Sequence, residues 1–259
     1  MNILEQITAQ KKAEVKRRKE HIPIRVLERA PLFRRKAFPA SEFIKSGSGI
    51  IAEFKRQSPS KGVIHPNPNI ETITKGYVSA GASAISVLTD KEFFGGSDAD
   101  LMSARSLNSV PILRKDFMVD EYQILESKAL GADMVLLIAA CLTPKEISRF
   151  GRLAHSVNME VLLEVRDKEE LQRSLCPSIN LIGINNRDLT TFEVDVQRSY
   201  DLVNEIPDEF LKISESGISN PKTIIELREA GFNGFLIGEH FMQAHEPEKA
   251  CEAFIDEIA

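Results

Sequence analysis

The sequence predicts an α/β protein, a (β/α)8 TIM barrel with an N-terminal helical extension. Eight short apolar runs alternate with eight helical segments and no long linker separates them, which favours a parallel sheet covered by helices. A doubly wound open sheet would share this alternation. The count of eight and a length of 259 residues favour the closed barrel. The turn after the first run, QSPSKG, lacks the GxGxxG fingerprint of many open sheets, and no Walker pattern is present.

We expect one domain spanning residues 1–259, with residues 1–47 as the extension and 48–259 as the barrel. Residues 2–20 predict a helix, a second short helix is expected at 24–29, and Pro39 to Ser41 can open another turn. Residues 11–20 are basic, and we interpret them as a solvated helix face in preference to an interaction arm. The apolar residues at roughly helical spacing are Ile3, Leu4, Ile7 and Val15.

The barrel elements follow from the change between apolar runs and amphipathic segments. The predicted strands are 50–55, 84–89, 111–114, 134–138, 160–165, 181–184, 211–214 and 234–237. The predicted helices are 70–80, 99–107, 120–130, 144–155, 168–175, 196–204, 221–230 and 247–258. Gly81, Gly131 and Gly231 follow three of these helices, where glycine supplies a left-handed cap. Thr143-Pro144 and Asn220-Pro221 read as N-caps followed by proline.

Composition argues against several classes of partner. The net charge is −5 with mixed signs and no basic block, so a nucleic-acid partner is not expected. The longest apolar run, 134–142, is too short to span a bilayer, and the N-terminus lacks the apolar core of a signal peptide. The three cysteines have no metal-ligand spacing. We therefore expect a reduced, cytoplasmic location and no metal site.

The first strand and its loop read GIIAEFKRQSPSKG. Side chains alternate along a strand, so Ile51, Glu53 and Lys55 share one face. Burial of a charged pair beside isoleucine is costly unless the charges have a partner or a use. The alternative is an edge strand with solvated charges. The polar loop that follows can hold an anion.

Charged or amide groups occur where five of the predicted strands end. In a barrel these ends meet at one rim, which is where active sites form. Two lysines (Lys55 and Lys115) and three glutamates (Glu53, Glu164 and Glu215), without a histidine–serine or histidine–cysteine pair, argue against a triad hydrolase and favour proton transfer, with pKa values shifted by neighbouring charges. The groups are Glu53 and Lys55, Lys115 and Asp116, Glu164, Asn185 with Arg187 and Asp188, and Glu215 with Ser216.

Glycines follow the last two strands. Ser216-Gly217 comes after the seventh strand and Gly238-Glu239 after the eighth, with a short helix expected to start at Glu239. Backbone N–H groups at these positions form the usual phosphate site of such barrels. Tight turns that merely require glycine are the alternative reading.

Taken together, these motifs resemble the indole-3-glycerol phosphate synthase family. The resemblance covers almost the whole chain and rests on IIAEFKRQSPSKG, SVLTDKEFFGGS, PILRKDF, VLLEV, IGINNRDL, SESGI and LIGEHFM, in that order. It implies closure of an indole ring from 1-(o-carboxyphenylamino)-1-deoxyribulose 5-phosphate, with loss of carbon dioxide and water. It also implies no metal or organic cofactor, and a free-standing enzyme without a fused second barrel.

The resemblance implies a role for each site residue. Lys115 is the general acid, and Glu164 accepts or relays a proton. Glu53 and Lys55 form a pair, with Lys55 near the substrate carboxylate or acting as a second acid. Asn185 orients a hydroxyl or Lys115. The remaining positions are Arg187 and Glu215 in the polar network, Ser58, Ser216, Gly217, Gly238 and the Glu239 N–H at the phosphate, and Phe94, Phe117, Leu136 and Leu189 as apolar walls.

Two other functions fit the same barrel. One is a sugar-phosphate isomerase, which would share the phosphate site but does not usually need lysines from both the first and third strands. The other is a non-catalytic barrel that binds a phosphorylated ligand, against which the charged strand ends argue. In each case the expected partner is a small phosphorylated molecule, without nucleic acid or membrane, and the default expectation is a monomer.

Overall fold

The computed structural model describes residues 2–258, so Met1 and Ala259 of the predicted domain lie outside the described part. Within residues 2–258, most of the residues in the apolar runs predicted as strands do form strands. The strands are β1 (Ile50–Phe54), β2 (Gln57–Ser58), β3 (Gly62–Val63), β4 (Ala84–Leu88), β5 (Ile112–Lys115), β6 (Met134–Ile138), β7 (Glu160–Val165), β8 (Leu181–Asn185), β9 (Leu211–Glu215) and β10 (Gly234–Ile237).

The helices surround these strands, with three of them before β1. They are α1 (Ile3–His21), α2 (Ile24–Leu27), α3 (Ala40–Ser46), α4 (Ile70–Ser79), α5 (Asp98–Leu107), α6 (Glu121–Leu130), α7 (Pro144–Ser156), α8 (Lys168–Ser174), α9 (Gln197–Leu202), α10 (Pro221–Glu229), α11 (Glu239–Met242) and α12 (Pro247–Asp256). Across residues 2–258, no helix has the length and apolarity needed to cross a membrane.

Eight parallel strands close into a barrel in the order β1-β10-β9-β8-β7-β6-β5-β4. β1 completes the ring because it pairs with β4 on one side and with β10 on the other; Ile51 lies opposite both Ala84 and Leu236. The (β/α)8 barrel prediction is confirmed, and the alternative of an open sheet is wrong. The alternative of an edge strand with solvated charges is also wrong, since Glu53 is only 4% exposed.

Side-chain alternation divides the core into two layers. Ile51, Leu113 and Leu162 belong to the cluster inside the barrel. Ile50 and Phe54 belong to the larger cluster between the strands and the surrounding helices. This is the period-2 pattern expected of strands buried on both faces. Because Glu53 and Lys55 continue the face of Ile51, they emerge at the inner mouth of the barrel.

Adjacent cationic residues in β5 follow the same alternation. Lys115 faces the barrel mouth, whereas Arg114 faces outward and is 1% exposed. The Arg114 guanidinium lies 2.8 Å from Glu126 Oε2 and 3.3 Å from Asp98 Oδ1, on the covering helices α6 and α5. It also donates to Thr89 Oγ1 at 3.0 Å. Neighbours in sequence therefore serve opposite sides of the sheet.

Element ends differ slightly from the predictions. β1 stops at Phe54, and β5 is displaced by one residue to Ile112–Lys115. The antiparallel hairpin of β2 and β3 within the QSPSKG loop was not predicted, because two-residue strands carry no periodic signal. The predicted left-handed caps are confirmed, with φ of 96° at Gly81, 96° at Gly131 and 110° at Gly231.

The extension begins with α1, where Asn2 and Glu5 form a capping box. The prediction that residues 11–20 form a solvated basic face is wrong for the buried Lys11 and the partly buried Arg18, whereas Lys19 is exposed, as predicted. Lys11, Arg18 and Lys19 form ion pairs with carboxylates of the barrel segments. The reason is long-range: acidic side chains 79 or more positions away from their partners meet this helix face, and periodicity within α1 contains no information on them.

Candidate active site

A cavity of about 630 Å³ opens at the C-terminal ends of the barrel strands. Its lining combines residues of the strand ends and their loops with residues of α1. The predicted site residues all line it: Glu53, Lys55, Ser58, Phe94, Lys115, Phe117, Leu136, Glu164, Asn185, Arg187, Leu189, Glu215, Ser216, Gly217, Gly238 and Glu239. The structure therefore brings these residues to one site, while their individual roles stay predictions.

One rim residue from the sequence analysis is used differently. Asp188 is not part of the cavity lining; its carboxylate accepts hydrogen bonds from Thr190 N at 2.7 Å and Thr191 N at 3.1 Å. It also lies 3.6 Å from Arg166. These turn hydrogen bonds lower its pKa against the opposing effect of burial. Asp188 therefore shapes the loop after β8.

Lys115 lies between two carboxylates at the centre of the cavity. Its Nζ is 3.2 Å from Glu164 Oε2 and 3.8 Å from Glu215 Oε2. The other oxygen of Glu164 accepts a hydrogen bond from Asn185 Nδ2 at 3.0 Å, and Asn185 Oδ1 in turn accepts one from Arg187 N at 2.9 Å. The ends of β5, β7 and β8 thus supply one hydrogen-bonded chain, and Glu215 of β9 adds an ion-pair contact to it.

The protonation of Lys115 follows from these neighbours. Burial by itself lowers the pKa of Lys115, but the carboxylates of Glu164 foremost and of Glu53 outweigh it and hold that pKa above the usual value, and Glu215 adds to this effect only where it is ionised. The amine is therefore an ammonium at neutral pH. It can approach an electron-rich oxygen of a substrate with a full positive charge.

A second lysine–glutamate pair lies at the end of β1. Lys55 Nζ is 2.9 Å from Glu53 Oε1, and Ser86 Oγ donates to Glu53 Oε2 at 3.3 Å. Burial raises the pKa of Glu53, yet Lys55 and Lys115 outweigh burial and keep it below the usual value. A Cβ at Gly238 would lie 2.5 Å from Glu53 Oε1, so this glycine gives the carboxylate its space.

Glu215 is buried in a different electrostatic setting. Burial, together with the nearby carboxylates of Glu164 and Glu53, raises its pKa to about 8 even though Lys115 opposes the shift. Its Oε1 is buried and has no hydrogen-bond partner among the described residues. A carboxyl group with this pKa carries its proton at neutral pH. The cavity therefore presents one neutral acid beside two charged pairs.

Gly183 in β8 explains how Glu215 fits. A Cβ at Gly183 would collide with Glu215 Oε1. The sequence contained this signal, because a glycine in the middle of an apolar strand indicates close approach by another group. Gly183 was nevertheless not predicted to have this role, since the approaching side chain, Glu215, lies 32 positions further along the chain.

The turn after β9 has an unusual backbone. Ser216 and Gly217 both have positive φ, at 69° and 74°, and Asn186 Nδ2 donates to Ser216 O at 3.1 Å. A Cβ at Gly217 would collide with Val194 Cγ1, so space as well as conformation favours glycine there. A left-handed conformation in a non-glycine residue is a common feature of functional sites. Turns of this kind can direct backbone N–H groups at an anion.

An ion triad lies beside this turn. Arg187 Nη2 is 2.9 Å from Glu239 Oε2, and Lys61 Nζ is 3.4 Å from Glu239 Oε1. Lys61 lies between β2 and β3, so the triad connects the first loop to α11. Lys61 was not among the predicted site residues, although a lysine within the loop QSPSKG, which was predicted to hold an anion, was a visible signal. Two cations around one carboxylate leave a net positive charge at this end of the cavity.

Aromatic and aliphatic side chains form the opposite end. The rings of Phe94 and Phe117 lie 6.0 Å apart between centroids, at an interplanar angle of 38°. Leu136 and Leu189 belong to the same apolar cluster. Part of the cavity lining was not predicted, namely Ile3, Leu4 and Ile7 of α1. A flat apolar group fits this end better than a sugar does.

Within residues 2–258, no three His, Cys, Asp or Glu side chains are grouped so that they could hold a metal ion. The acidic groups of the cavity are instead paired with ammonium groups or protonated. Such an arrangement can donate and accept protons around a substrate that has an anionic and an apolar end. The fold and the site together define a (β/α)8-barrel enzyme of acid–base chemistry.

Comparison with known proteins identifies the family. Residues 4–254 match the family model described as "Indole-3-glycerol phosphate synthase". The chain belongs to the indole-3-glycerol phosphate synthase family, which confirms the resemblance seen in the sequence motifs.

Individual relatives agree with the family match. A Bacteroides thetaiotaomicron protein named indole-3-glycerol phosphate synthase is 47% identical over 262 residues, covering 99% of this chain and 99% of its own. One of the same name from Caldanaerobacter subterraneus subsp. tengcongensis is 44% identical and covers 94% of each chain. A solved structure described as "Native KDPGal structure" has a TM-score of 0.57 at 14% identity, covering 81% of this chain and 91% of that one, and shows the fold alone.

Proposed function

We propose that this chain is an enzyme that closes the indole ring in tryptophan biosynthesis. The reaction converts 1-(o-carboxyphenylamino)-1-deoxyribulose 5-phosphate into indole-3-glycerol phosphate, carbon dioxide and water, which makes it a carbon–carbon lyase of the carboxy-lyase class. Membership of the family, over residues 4–254, supports this activity. The chemistry of the cavity supports it independently.

The reaction needs proton transfer at defined atoms. The ring carbon that bears the carboxylate attacks the sugar carbonyl carbon, and the carbonyl electron pair moves to oxygen. That oxygen gains a proton and becomes a hydroxyl. Loss of carbon dioxide returns its electron pair to the ring. The hydroxyl then leaves as water after a second protonation, and the methylene carbon between the nitrogen and the former carbonyl carbon loses a proton, which forms the new carbon–carbon double bond of the indole.

Lys115 is the residue we assign to the carbonyl oxygen. Its raised pKa keeps it an ammonium, so it stabilises the negative charge that develops on that oxygen and donates a proton to it. Burial strengthens this interaction because water does not screen it. The single observation that carries the proposal is this ammonium 3.2 Å from Glu164 in a cavity that also has an apolar end.

Glu164 is the proton acceptor or relay that we assign to the dehydration. Its contact with Lys115 gives a direct path for a proton between the two groups. Asn185, which donates to Glu164 Oε1 at 3.0 Å, orients that carboxylate. We assign to Asn185 a positioning role toward Glu164 in addition to the predicted orientation of a hydroxyl or Lys115.

Lys55 and Glu53 are assigned to the substrate carboxylate and to the second protonation. The substrate carboxylate departs as carbon dioxide, so the Lys55 ammonium must not bind that carboxylate too tightly. The ion pair with Glu53, at 2.9 Å, partly neutralises the charge of Lys55 and so weakens this binding. Glu215 and Arg187 complete the polar network.

The two ends of the cavity orient the substrate. Ser58, Ser216, Gly217, Gly238 and the N–H of Glu239 are proposed to bind phosphate, while Phe94, Phe117, Leu136 and Leu189 are proposed to contact the aromatic ring. Anchors at both ends bring the ring carbon toward the carbonyl, and such positioning contributes much of the rate acceleration of ring-forming steps.

The test is an assay with the carboxyphenylamino sugar phosphate. The purified chain should produce the ultraviolet absorbance of an indole and release one carbon dioxide per product. Lys115→Ala should abolish turnover while the circular dichroism spectrum remains unchanged, and Lys222→Ala, at a site outside the cavity lining, is the matched control.

Other outcomes point elsewhere. Isomerisation of a sugar phosphate without indole absorbance would favour the isomerase reading, and binding without turnover would favour the non-catalytic barrel. Full turnover by Lys115→Ala would refute the assignment of the acid.

Several broader expectations belong to the same proposal. We propose a single domain with residues 1–47 as its extension, a cytoplasmic location, a monomeric state and activity without a cofactor. A small phosphorylated substrate is the proposed partner, with neither nucleic acid nor membrane. Size-exclusion chromatography with light scattering tests the monomer, and dialysis against a chelator followed by the assay tests independence from metals.

A further inference from the structure

Lys11 is a buried lysine that the proposed chemistry does not use. It lies on α1, its side chain is 1% exposed, and its Nζ approaches three carboxylates. The distances are 3.0 Å to Glu14 Oε2, 2.9 Å to Asp90 Oδ2 and 3.0 Å to Asp116 Oδ1. Glu14 belongs to the same helix, whereas Asp90 and Asp116 belong to the barrel. One ammonium thus joins the extension to two separate strand ends.

Asp116 connects Lys11 to the end of β5. Asp116 follows Lys115 directly in the sequence, and the residue as a whole is only 2% exposed. The oxygen that Lys11 contacts also accepts a hydrogen bond from Phe117 N at 2.8 Å. The other oxygen accepts one from Thr89 Oγ1 at 2.6 Å. The carboxylate therefore fixes the backbone at which Phe117 enters the cavity.

Asp90 connects Lys11 to the loop after β4. Its Oδ1 accepts from Phe93 N at 2.8 Å, and its carbonyl oxygen accepts from Gly96 N at 2.7 Å. These two hydrogen bonds close the loop that carries Phe94. Its other oxygen, Oδ2, has Lys11 as an ion-pair partner without a directed hydrogen bond. Loss of the ammonium would leave that oxygen without compensation.

The two aromatic walls and α1 form one contact group. Phe94 packs against Phe117 with 6.0 Å between ring centroids. Ile3 and Ile7, which precede Lys11 by two turns and one turn on the same helix face, belong to the apolar cluster of these rings. Lys11 is thus attached to the walls through Asp90 and Asp116, and to the cavity lining through its own helix.

The ion pairs of Lys11 are not needed simply to attach α1 to the barrel. Burial lowers the pKa of Lys11, but Asp116, Asp90 and Glu14 outweigh it and keep the group charged. Well-packed apolar residues often stabilise a fold as much as a buried ion pair does, whereas a charged contact fixes geometry more narrowly. The apolar contacts of Ile7 and Val15 already hold α1 against the barrel.

We infer that Lys11 is a positioning residue for the reaction: it bridges Asp90 and Asp116, and so holds Phe94, Phe117 and α1 around the aromatic end of the substrate. This inference rests on the proposed function. Lys115 is held independently by the β5 ladder, so loss of Lys11 acts mainly on substrate binding. A loss of binding shared by ground state and transition state raises KM and leaves kcat nearly constant.

The experiment compares Lys11→Met with Lys12→Met. Both remove one charge from α1, but Lys12 is exposed. We expect KM for the carboxyphenylamino sugar phosphate to rise about tenfold in Lys11→Met, which corresponds to about 1.4 kcal/mol, with kcat changed less than KM. Hydrogen exchange should accelerate in residues 3–21 and 90–96 of that variant. Lys12→Met should match the wild type in both measurements.

A purely structural role gives a different pattern and overturns the inference. The fraction of active enzyme, and with it the apparent kcat, would fall while KM and exchange in the loop at 90–96 stayed as in the wild type. If Lys11→Met fails to fold, Lys11→Met with Asp116→Asn removes one cation and one carboxylate together. The double variant should show the same rise in KM, and a wild-type KM would refute the role of Lys11.

Failure of the proposed function is separable from failure of this inference. A wild-type chain that forms no indole product refutes the function. In that case the exchange comparison of Lys11→Met and Lys12→Met still decides whether Lys11 holds α1 and the loop at 90–96. Equal exchange in the two variants would refute the positioning of α1 and this loop by Lys11.

Discussion

The protonated state of Glu215 makes stability depend on pH in a defined direction. Its folded-state pKa is raised to about 8 from an ordinary value of 4.5, chiefly by burial. The folded state therefore binds a proton that the unfolded state releases between these two pH values. It follows that the contribution of Glu215 to stability is intact below about pH 4.5 and is lost progressively as the pH rises to about 8.

The isosteric substitution Glu215→Gln removes this dependence. The gap between the two pKa values corresponds to about 5 kcal/mol at full ionisation, as an order of magnitude. The glutamine variant should thus resemble the wild type in stability at pH 5 and gain on it steadily up to pH 8.5. The relative gain arises because glutamine mimics the neutral acid and has no proton to lose.

Urea unfolding at pH 5 and at pH 8.5 measures this effect. The free energy of unfolding of Glu215→Gln minus that of the wild type is the quantity to follow. Glu252→Gln, at an exposed position of α12, is the control and should give a difference independent of pH. A constant difference for Glu215→Gln, or a wild type that gains on the variant at higher pH, would refute a protonated Glu215.

Three further substitutions test the cavity. Glu164→Gln should lower kcat by about 10²- to 10⁴-fold in the indole assay, since it removes the proposed proton acceptor; a decrease in affinity alone would contradict this role. Glu239→Gln should tighten inhibition by inorganic phosphate about fivefold, because the carboxylate that neutralises Lys61 is gone and such a charge at about 4 Å in water contributes about 1 kcal/mol. Weaker inhibition would instead mark the carboxylate as a support for the cations. Gly183→Ala should destabilise the fold by about 1–3 kcal/mol in thermal or urea unfolding through overpacking against Glu215, and unchanged stability would contradict the close approach.

The fold was predictable because its information is local. Apolar runs, glycine caps and proline N-caps recur with each β/α unit, and topology then places every strand end at one rim. That is why Lys55, Lys115 and Glu164, far apart in the chain, could be assigned to one cavity. The charge of Glu53 within an apolar strand was the strongest single signal, and its 4% exposure explains why a charge occurs there only with a partner.

Other features depend on encounters between distant segments. Lys11 reads as an ordinary lysine of an amphipathic helix until Asp90 and Asp116 are seen beside it. The proton on Glu215 depends on the combined burial and charges of residues from several strands, which no spacing rule contains. Lys61 lines the cavity because it lies in the hairpin between β2 and β3, and each of these strands is only two residues long.

The opposite orientation of Arg114 and Lys115 has a consequence for how this chain tolerates change. Insertion or deletion of one residue within β5 would exchange the two groups, sending a guanidinium into the cavity and the Lys115 amine, the proposed general acid, among the carboxylates outside. Both faces would still receive a positive charge, so such a variant could assemble while being chemically inert. Length changes in this segment should therefore be found in the loops at its two ends rather than within the strand.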